Sequence, residues 1–235
     1  MDSFLTTSEA YLAALAALLD RPDWTVGPRG MATRELMNWQ LVVERPTSSL
    51  VVTASAARNA TIARYCETER GLYLAGERSA EVWAERASKF WLGLANPDGT
   101  VNSNYGELMM VRRDMPGGLT AWEWARESLV ADPDTRQAFV RVSRPEHQWR
   151  GNRDQVCTMH LHFMLRGGRL HATAVMRSCD AVKGLAYDAP WFCWCLEVMA
   201  TSLAVPVGTY AHLAHSLHLY ERDVALAERM LGRSQ

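Results

Sequence analysis

A thiol, two charged groups and a hydroxyl lie at the two ends of a short segment of this sequence. Cys157 begins a stretch of alternating apolar and polar residues, and the run Arg177-Ser178-Cys179-Asp180 ends the stretch that follows it. A thiolate is a reactive nucleophile, and a neighbouring cation such as Arg177 lowers the pKa of a thiol. A buried cluster of charged side chains is costly unless it binds something. The segment therefore indicates a thiol beside a ligand-binding cluster.

A β-hairpin is the element that brings these two ends together. Apolar and polar residues alternate over 156–165 and again over 170–176, on either side of Gly167-Gly168. Glycine tolerates positive φ at both central positions of a two-residue hairpin turn. The period of two predicts one buried face, made of Cys157, Met159, Leu161, Phe163 and Leu165.

The order and spacing of the motifs resemble the thymidylate synthase superfamily from about Pro28 to Tyr220. The resemblance rests on Cys157, the run 177–180, Gly184-Leu185 and His218-Leu219-Tyr220. The run Asn102-Ser103-Asn104-Tyr105-Gly106 and Asp188 narrow the resemblance to the cytidylate hydroxymethylase branch. It implies a single α/β domain over 1–235, with a mixed sheet flanked by helices.

The resemblance also implies a role for each site residue. Cys157 would be the nucleophile, Glu69 the residue that orders water and relays protons, and Asp188 the group that selects the base. The substrate would be bound by Arg29, Arg136, Arg177, Ser178, His218 and Tyr220, with Arg136 supplied by the partner of a homodimer. Asp180 and Gly184 would meet the co-substrate, 5,10-methylenetetrahydrofolate. Superfamily members usually carry two consecutive arginines where this chain has Arg136 followed by Gln137.

The chemistry implied is addition of the Cys157 thiolate to C6 of a pyrimidine nucleotide, which makes C5 nucleophilic. One-carbon transfer and addition of water then give a 5-hydroxymethyl nucleotide. Two other functions remain open from the sequence. One is a thymidylate synthase acting on dUMP, and the other is a nucleotide-binding relative without activity. Retention of Cys157, Glu69 and Arg177 disfavours the inactive relative.

Composition limits the class of protein further. Basic and acidic residues nearly balance, 25 against 26, which gives no sign of a nucleic-acid-binding surface. No apolar run reaches transmembrane length, and the first residues lack the basic segment of a signal peptide. Five irregularly spaced cysteines argue against a disulfide framework and for the cytoplasm. His160, His162 and His171 share one face of the hairpin, but without a matching Cys or carboxylate we expect no metal site.

Periodicity and capping signals predict the remaining elements. Asp188 before Ala189-Pro190 is also a good helix start, so a helix cap is the alternative interpretation of this residue. The expected helices are 7–19 with Thr7 or Ser8 as its cap, 58–75 ending at Gly76, 80–92, 122–130, 191–203 and 221–231 ending at Gly232. The expected strands, besides the hairpin, are 35–44, 139–143 and 207–219.

Overall fold

One mixed β-sheet organises the protein. The computed structural model describes residues 2–46 and 50–233, and within these ranges eight strands form one sheet. Its order is β1-β3-β8-β6-β5-β4, with β2 paired to β3 and β7 paired to β8. The strands are β1 (Asp2–Phe4), β2 (Trp24–Val26), β3 (Thr33–Val43), β4 (Phe139–Arg141), β5 (Thr158–Arg166), β6 (Arg169–Met176), β7 (Cys179–Asp180) and β8 (Val207–Tyr220).

Six α-helices accompany the sheet in the described residues. They are α1 (Thr7–Asp20), α2 (Ala56–Leu74), α3 (Ala80–Arg86), α4 (Ala121–Ala131), α5 (Ala186–Ser202) and α6 (Val224–Met230). Helix α5 is the central one: most of its side chains are buried, and it contacts β6, β8 and α2. The α/β architecture predicted from the sequence is thus confirmed. Among the described residues, no helix combines the length and apolar character needed to cross a membrane.

The predicted hairpin is present, with one irregularity at its start. Strands β5 and β6 pair antiparallel through Gly167 and Gly168, whose φ values are 57° and 70°. The register shifts between Thr158 and His160. Because of this bulge Thr158 is buried while Cys157 and Met159 are only half-buried. The prediction that Cys157 and Met159 share the buried face of Leu161 and Phe163 is therefore wrong.

Three predicted helix boundaries also need correction. Thr6, rather than Thr7 or Ser8, caps α1, in a reciprocal capping box with Glu9. The helix expected over 80–92 is interrupted: α3 ends at Arg86, and Ser88 caps a separate short 3₁₀ turn over Lys89–Gly93. Helix α5 begins at Ala186, five residues before the predicted start.

The two faces of the sheet differ. Tyr210, His212 and Ala214 of β8 are fully buried on the face that α5 covers. The alternate residues point the other way, and in the described chain they are only half-buried. We call this second surface the open face; its half-buried apolar side chains include Val42, Val175, Ala211 and Leu213.

Candidate active site

Cys157 lies one residue before β5, beside a guanidinium that the main chain holds in place. Arg177 donates from Nε to Val156 O at 3.0 Å and from Nη2 to Gln155 O, and Nη2 lies 3.6 Å from the Cys157 Sγ. Burial raises the pKa of the Cys157 thiol to about 11, and Arg177 opposes that shift. The thiol is therefore protonated at neutral pH in the free protein, and ionising it takes further positive charge or a proton acceptor.

Glu69 is buried in α2 and surrounded by aromatic hydroxyl groups. Burial raises the pKa of its carboxyl to about 8, while hydrogen bonds from Tyr73 and Tyr65 oppose the rise. Trp91 Nε1 donates to the Tyr65 hydroxyl at 3.1 Å, and the Tyr65 ring packs on Tyr187 with centroids 4.4 Å apart. A carboxyl with a pKa near neutrality, held by hydroxyl groups, is suited to taking up and releasing a proton.

Asp188 lies in the first turn of α5, but it is not the helix cap. The helix begins at Ala186 and no side chain caps it. The Asp188 carboxyl is buried instead, and burial, together with the charges of Glu69 and Asp180, raises its pKa well above the usual value. A Cβ on Gly184 would lie 3.2 Å from Asp188 Oδ2. Glycine at this position, which has no Cβ, therefore leaves space beside that carboxyl.

Asp180 joins the cluster from β7. Its Oδ1 accepts hydrogen bonds from the amides of Val182 and Lys183, at 2.8 and 2.9 Å, and so caps the turn that leads into α5. Asp180 also pairs in register with His218 of β8. The strand pairing therefore places the carboxyl that precedes α5 beside the end of β8.

The end of β8 supplies the His218 and Tyr220 side chains. Their rings meet edge to face with centroids 5.2 Å apart, and the Arg222 guanidinium lies 4.3 Å from the centre of the Tyr220 ring. Arg222 adds a cation here that was not predicted from the sequence. Ser178 is half-buried between β6 and β7.

Arg29 and Arg136 stand apart from this cluster. Arg29 is exposed in a 3₁₀ turn with φ 55°. That turn is tied to the end of β8 through the amide of Glu221, which donates to Ala32 O at 3.0 Å. Arg136 is also exposed, and its backbone hydrogen-bonds to His162 on the open face. The described chain thus holds Arg136 at the border of the open face rather than beside Cys157.

The polar loop 102–106 connects the elements that carry Glu69 and Cys157. Asp154, three residues before Cys157, accepts from the amides of Asn102 and Ser103. Asn104 donates from Nδ2 to the Leu72 carbonyl of α2 at 3.1 Å. The loop therefore positions α2 relative to the segment that precedes β5.

A cavity of about 270 Å³ lies between α2 and α5 and reaches Glu69. Its walls are largely aromatic and polar. The lining residues are Leu50, Ala63, Cys66, Glu67, Glu69, Arg70, Tyr73, Tyr187, Pro190, Trp191 and Trp194.

The three predicted hairpin histidines do share a face, since His162 lies across from Thr173 and His171 from Met164. Within residues 2–46 and 50–233, no three His, Cys, Asp or Glu side chains are grouped closely enough to hold a metal ion. His171 instead bonds through Nδ1 to the amide of Thr209 at 3.0 Å. All five cysteines are free thiols.

Comparison with known proteins identifies the family. The family model described as thymidylate synthase matches residues 9–235. The chain belongs to the thymidylate synthase family. Its fold is similar to that of thermostable thymidylate synthase A from Bacillus subtilis, with a TM-score of 0.73 at 15% identity, over 98% of this chain and 85% of the other.

Two phage enzymes are among the curated relatives. The deoxycytidylate 5-hydroxymethyltransferase of Enterobacteria phage T4 is 24% identical over 94% of this chain and 89% of its own length. The deoxyuridylate hydroxymethyltransferase of Bacillus phage SP01 is 29% identical over 92% of this chain and 57% of its own length. The family and these relatives support one-carbon transfer to C5 of a pyrimidine nucleotide.

Proposed function

We propose that this protein converts a cytidine or deoxycytidine 5′-monophosphate to its 5-hydroxymethyl derivative, with 5,10-methylenetetrahydrofolate and water. The observation that carries the proposal is the buried Asp188 carboxyl, because burial and the charges of Glu69 and Asp180 raise its pKa well above the usual value and so favour its protonated form. A neutral carboxyl offers one donor and one acceptor side by side. Cytosine presents the matching pair along one edge, the unprotonated N3 and the C4 amino group.

The proton on the Asp188 carboxyl would favour binding of cytosine over uracil. Asp188 would donate its proton to N3 and accept from the amino group, and N3 is a basic acceptor. With uracil the same proton would have to go to O4, a weaker acceptor. A proton on N3 also withdraws electrons from C6 and so assists thiolate addition. Asp188 would thereby act both in substrate choice and in the first chemical step.

The remaining steps would use the other residues of the cluster. Arg177 lies beside the Cys157 sulfur and stabilises the thiolate that adds to C6. The folate supplies a one-carbon unit at the oxidation level of formaldehyde, which becomes bonded to C5. Glu69, with a pKa of about 8, would relay protons when C5 loses its hydrogen and when water adds. The Ser178 hydroxyl and arginines would bind the phosphate, and His218 and Tyr220 the sugar.

The site also fits a folate co-substrate. The rings of Tyr187 and Tyr65 pack against each other at a tilt of 31° and would offer an aromatic wall to a flat heterocycle. Gly184, which has no side chain, leaves space beside the carboxyl of Asp188. Asp180 is half-buried at the start of the turn that contains Gly184. Its carboxylate can accept hydrogen bonds from a pterin. These residues would hold the folate against the nucleotide.

A homodimer through the open face is part of the proposal. Apolar side chains along several adjacent strands are left half-buried in the single chain, and burying them against a second copy would be favourable. Arg136 lies at the border of this face. It could therefore reach the phosphate site of the partner.

Hydroxymethylation of dUMP is a second candidate. The Bacillus phage SP01 relative acts on deoxyuridylate according to its name, and a neutral carboxyl can exchange the roles of its two oxygens. An assay of dCMP, CMP and dUMP with methylenetetrahydrofolate, read by mass spectrometry of the product, tests both candidates. A 5-hydroxymethylcytosine product supports the proposal, while formation of thymidylate and dihydrofolate would contradict it.

Covalent catalysis has its own test. We expect a 5-fluoro-dCMP complex with the folate to become covalently attached to wild-type protein, and Cys157→Ala to abolish both this adduct and turnover. Losing the sole nucleophile should lower kcat by at least about three orders of magnitude. Cys179→Ala is the matched control, since its thiol is buried nearby. Adduct formation by Cys157→Ala would refute Cys157 as the nucleophile, and a wild-type chain that forms no adduct would support an inactive relative.

A further inference from the structure

The cavity between α2 and α5 extends from the surface to a catalytic candidate. Two of its lining residues, Glu67 and Arg70, are exposed, so the cavity opens to solvent. Three others, Glu69, Tyr73 and Trp191, are buried, so the same space continues into the interior. Glu69 therefore belongs to the inner, buried part of the cavity wall.

The cavity is suited to water. A cavity volume of about 10–15 Å³ is enough for one water molecule, and this cavity has a volume of about 270 Å³. Trp191 Nε1 is buried and has no hydrogen-bond partner among the described residues. A buried donor without a partner costs free energy that an ordered water would recover. The charges of Glu67 and Arg70 at the mouth oppose each other, which disfavours a strongly charged ligand.

We propose that this cavity supplies the water that completes hydroxymethylation, by a route between α2 and α5 that ends at Glu69. The inference rests on the proposed function and deepens it. In the reacting nucleotide, Cys157 is bonded to C6 and C5 carries an exocyclic methylene. With Glu69 ionised at this step, the water oxygen bonds to the methylene carbon while one water proton passes to the Glu69 carboxylate. The methylene π electrons form the C5=C6 double bond, and the C6–S bond breaks to release the Cys157 thiolate.

This route gives a physical reason for the product. A thymidylate synthase passes hydride to the same methylene carbon and must keep water away from it. A polar cavity that opens to solvent and is lined by Glu69 would do the opposite. The proportion of methylene that reacts with water should therefore depend also on Ala63 and Trp191, which line the cavity and have no role in the proposed binding of nucleotide or folate.

Filling the cavity is the first test. Ala63 lines the cavity, whereas Ala60 lies one turn away on the exposed surface of the same helix. Ala63→Leu and the matched control Ala60→Leu are compared with wild type, using nucleotide tritiated at C5 and 2-mercaptoethanol as a competing nucleophile. Tritium release reports formation of the methylene, and the hydroxymethyl and thioether products report its fate.

We expect Ala63→Leu to release tritium at nearly the wild-type rate while the ratio of hydroxymethyl to thioether product falls about tenfold, the size of effect that loss of ordered water allows. Ala60→Leu should keep the wild-type ratio. Trp191→Phe removes the unpartnered N–H but keeps an aromatic ring, and should lower the same ratio. Thermal unfolding checks that each variant is folded.

The possible outcomes are distinguishable. If both Ala63→Leu and Trp191→Phe keep the wild-type ratio, the water route is wrong while the proposed function stands. A raised KM for the folate with an unchanged ratio would make the cavity a folate subsite and also overturn the inference. If wild-type protein releases no tritium with any of dCMP, CMP or dUMP, the proposed function itself fails. Should Ala63→Leu prove unfolded, Trp191→Phe alone decides.

Discussion

Two acidic side chains of the candidate site, Glu69 and Asp188, are buried in the folded chain. Burial raises the pKa of both Glu69 and Asp188, and the charge of Glu69 adds to the shift of Asp188. Neighbouring carboxyls disfavour each other's ionisation. The raised pKa values favour protonated carboxyls at this site, where a bound pyrimidine ring would need proton donors.

Asp188→Asn tests the role of that carboxyl in base choice. The amide has no acidic proton to share with cytosine N3, so we expect the preference, measured as the ratio of kcat/KM for dCMP and dUMP, to move towards dUMP by at least about tenfold. Steady-state kinetics with both nucleotides gives the ratio. Since Asp188 caps no helix, stability should change little, and an unchanged ratio would show that Asp188 does not determine the choice of base.

At the scale of single residues the sequence was informative where spacing carried the signal. The resemblance to the family predicted Glu69, Arg177 and Asp188 as site residues. In the structure Arg177 lies beside the Cys157 sulfur, and Asp188 is close enough to Cys157 and Glu69 for their charges to affect one another. The hydroxyl partners of Glu69 were missed. Tyr65 and Tyr73 lie one turn away on either side of it, but nothing in their spacing distinguishes them from core residues.

At the scale of the elements, loop 102–106 and the end of α2 lie so close together that there is no room for an added side-chain atom. A Cβ on Gly106 would lie 2.2 Å from the Tyr73 carbonyl oxygen. We expect Gly106→Ala to lower the free energy of unfolding by roughly 1–3 kcal/mol and to lower activity, because Glu69 shares this helix. Urea unfolding and turnover measure the two effects.

Gly71→Ala is the matched control on α2. Nothing lies within 4 Å of the added Cβ, and alanine is the better helix former by about 0.5–1 kcal/mol. This variant should therefore be slightly more stable than wild type. Equal destabilisation by both substitutions would show that the close approach at Gly106 has no special cost.

The predicted elements agree with the structure where local sequence decides the backbone. The hairpin, β3, β8 and α2 follow their patterns, because alternation and glycine turns act within a few residues. The start of α5 does not, because Asp188-Ala189-Pro190 imitates a helix start inside a helix that is stabilised by burial. The bulge after Thr158 depends on pairing with a distant strand, which local pattern does not encode.

For the molecule as a whole, the buried carboxyls make stability depend on pH. The folded-state pKa of Glu69 lies near 8, above its usual value of 4.5. The folded chain therefore binds this proton more tightly than the unfolded chain, so the stabilisation is complete below about pH 4.5 and is lost as the pH rises through about 8. We expect wild type to lose about 2–4 kcal/mol relative to Glu69→Gln between about pH 5 and 8.5.

Urea unfolding of both proteins at these two pH values measures this difference. Asp188 is present in both chains, so the part of its pKa shift that comes from burial cancels, whereas the part that comes from the charge of Glu69 is present only in wild type and acts in the same direction. Parallel pH profiles for wild type and Glu69→Gln would contradict the prediction.

Assembly gives the second prediction at this scale. If Arg136 serves the partner's site, mixing inactive Cys157→Ala with inactive Arg136→Ala chains should restore about a quarter of wild-type activity, since half of the dimers are hybrids with one intact site. Arg141→Ala, another exposed arginine close by on β4, is the control and should remain active by itself. A fully active monomer on a sizing column would contradict the shared site.

The pairing of β3 with β8 has a consequence for how the protein is made. Residues near position 34 pair with residues near position 219, so the strand that carries His218 can complete the sheet only after residues 207–220 have left the ribosome. Contacts so distant in sequence slow folding. Cys157 and Arg177 are thus synthesised before β8, which also supports β7 and Asp180. A nascent chain would expose a thiol without a nucleotide site, and the reaction could begin only after synthesis has passed β8.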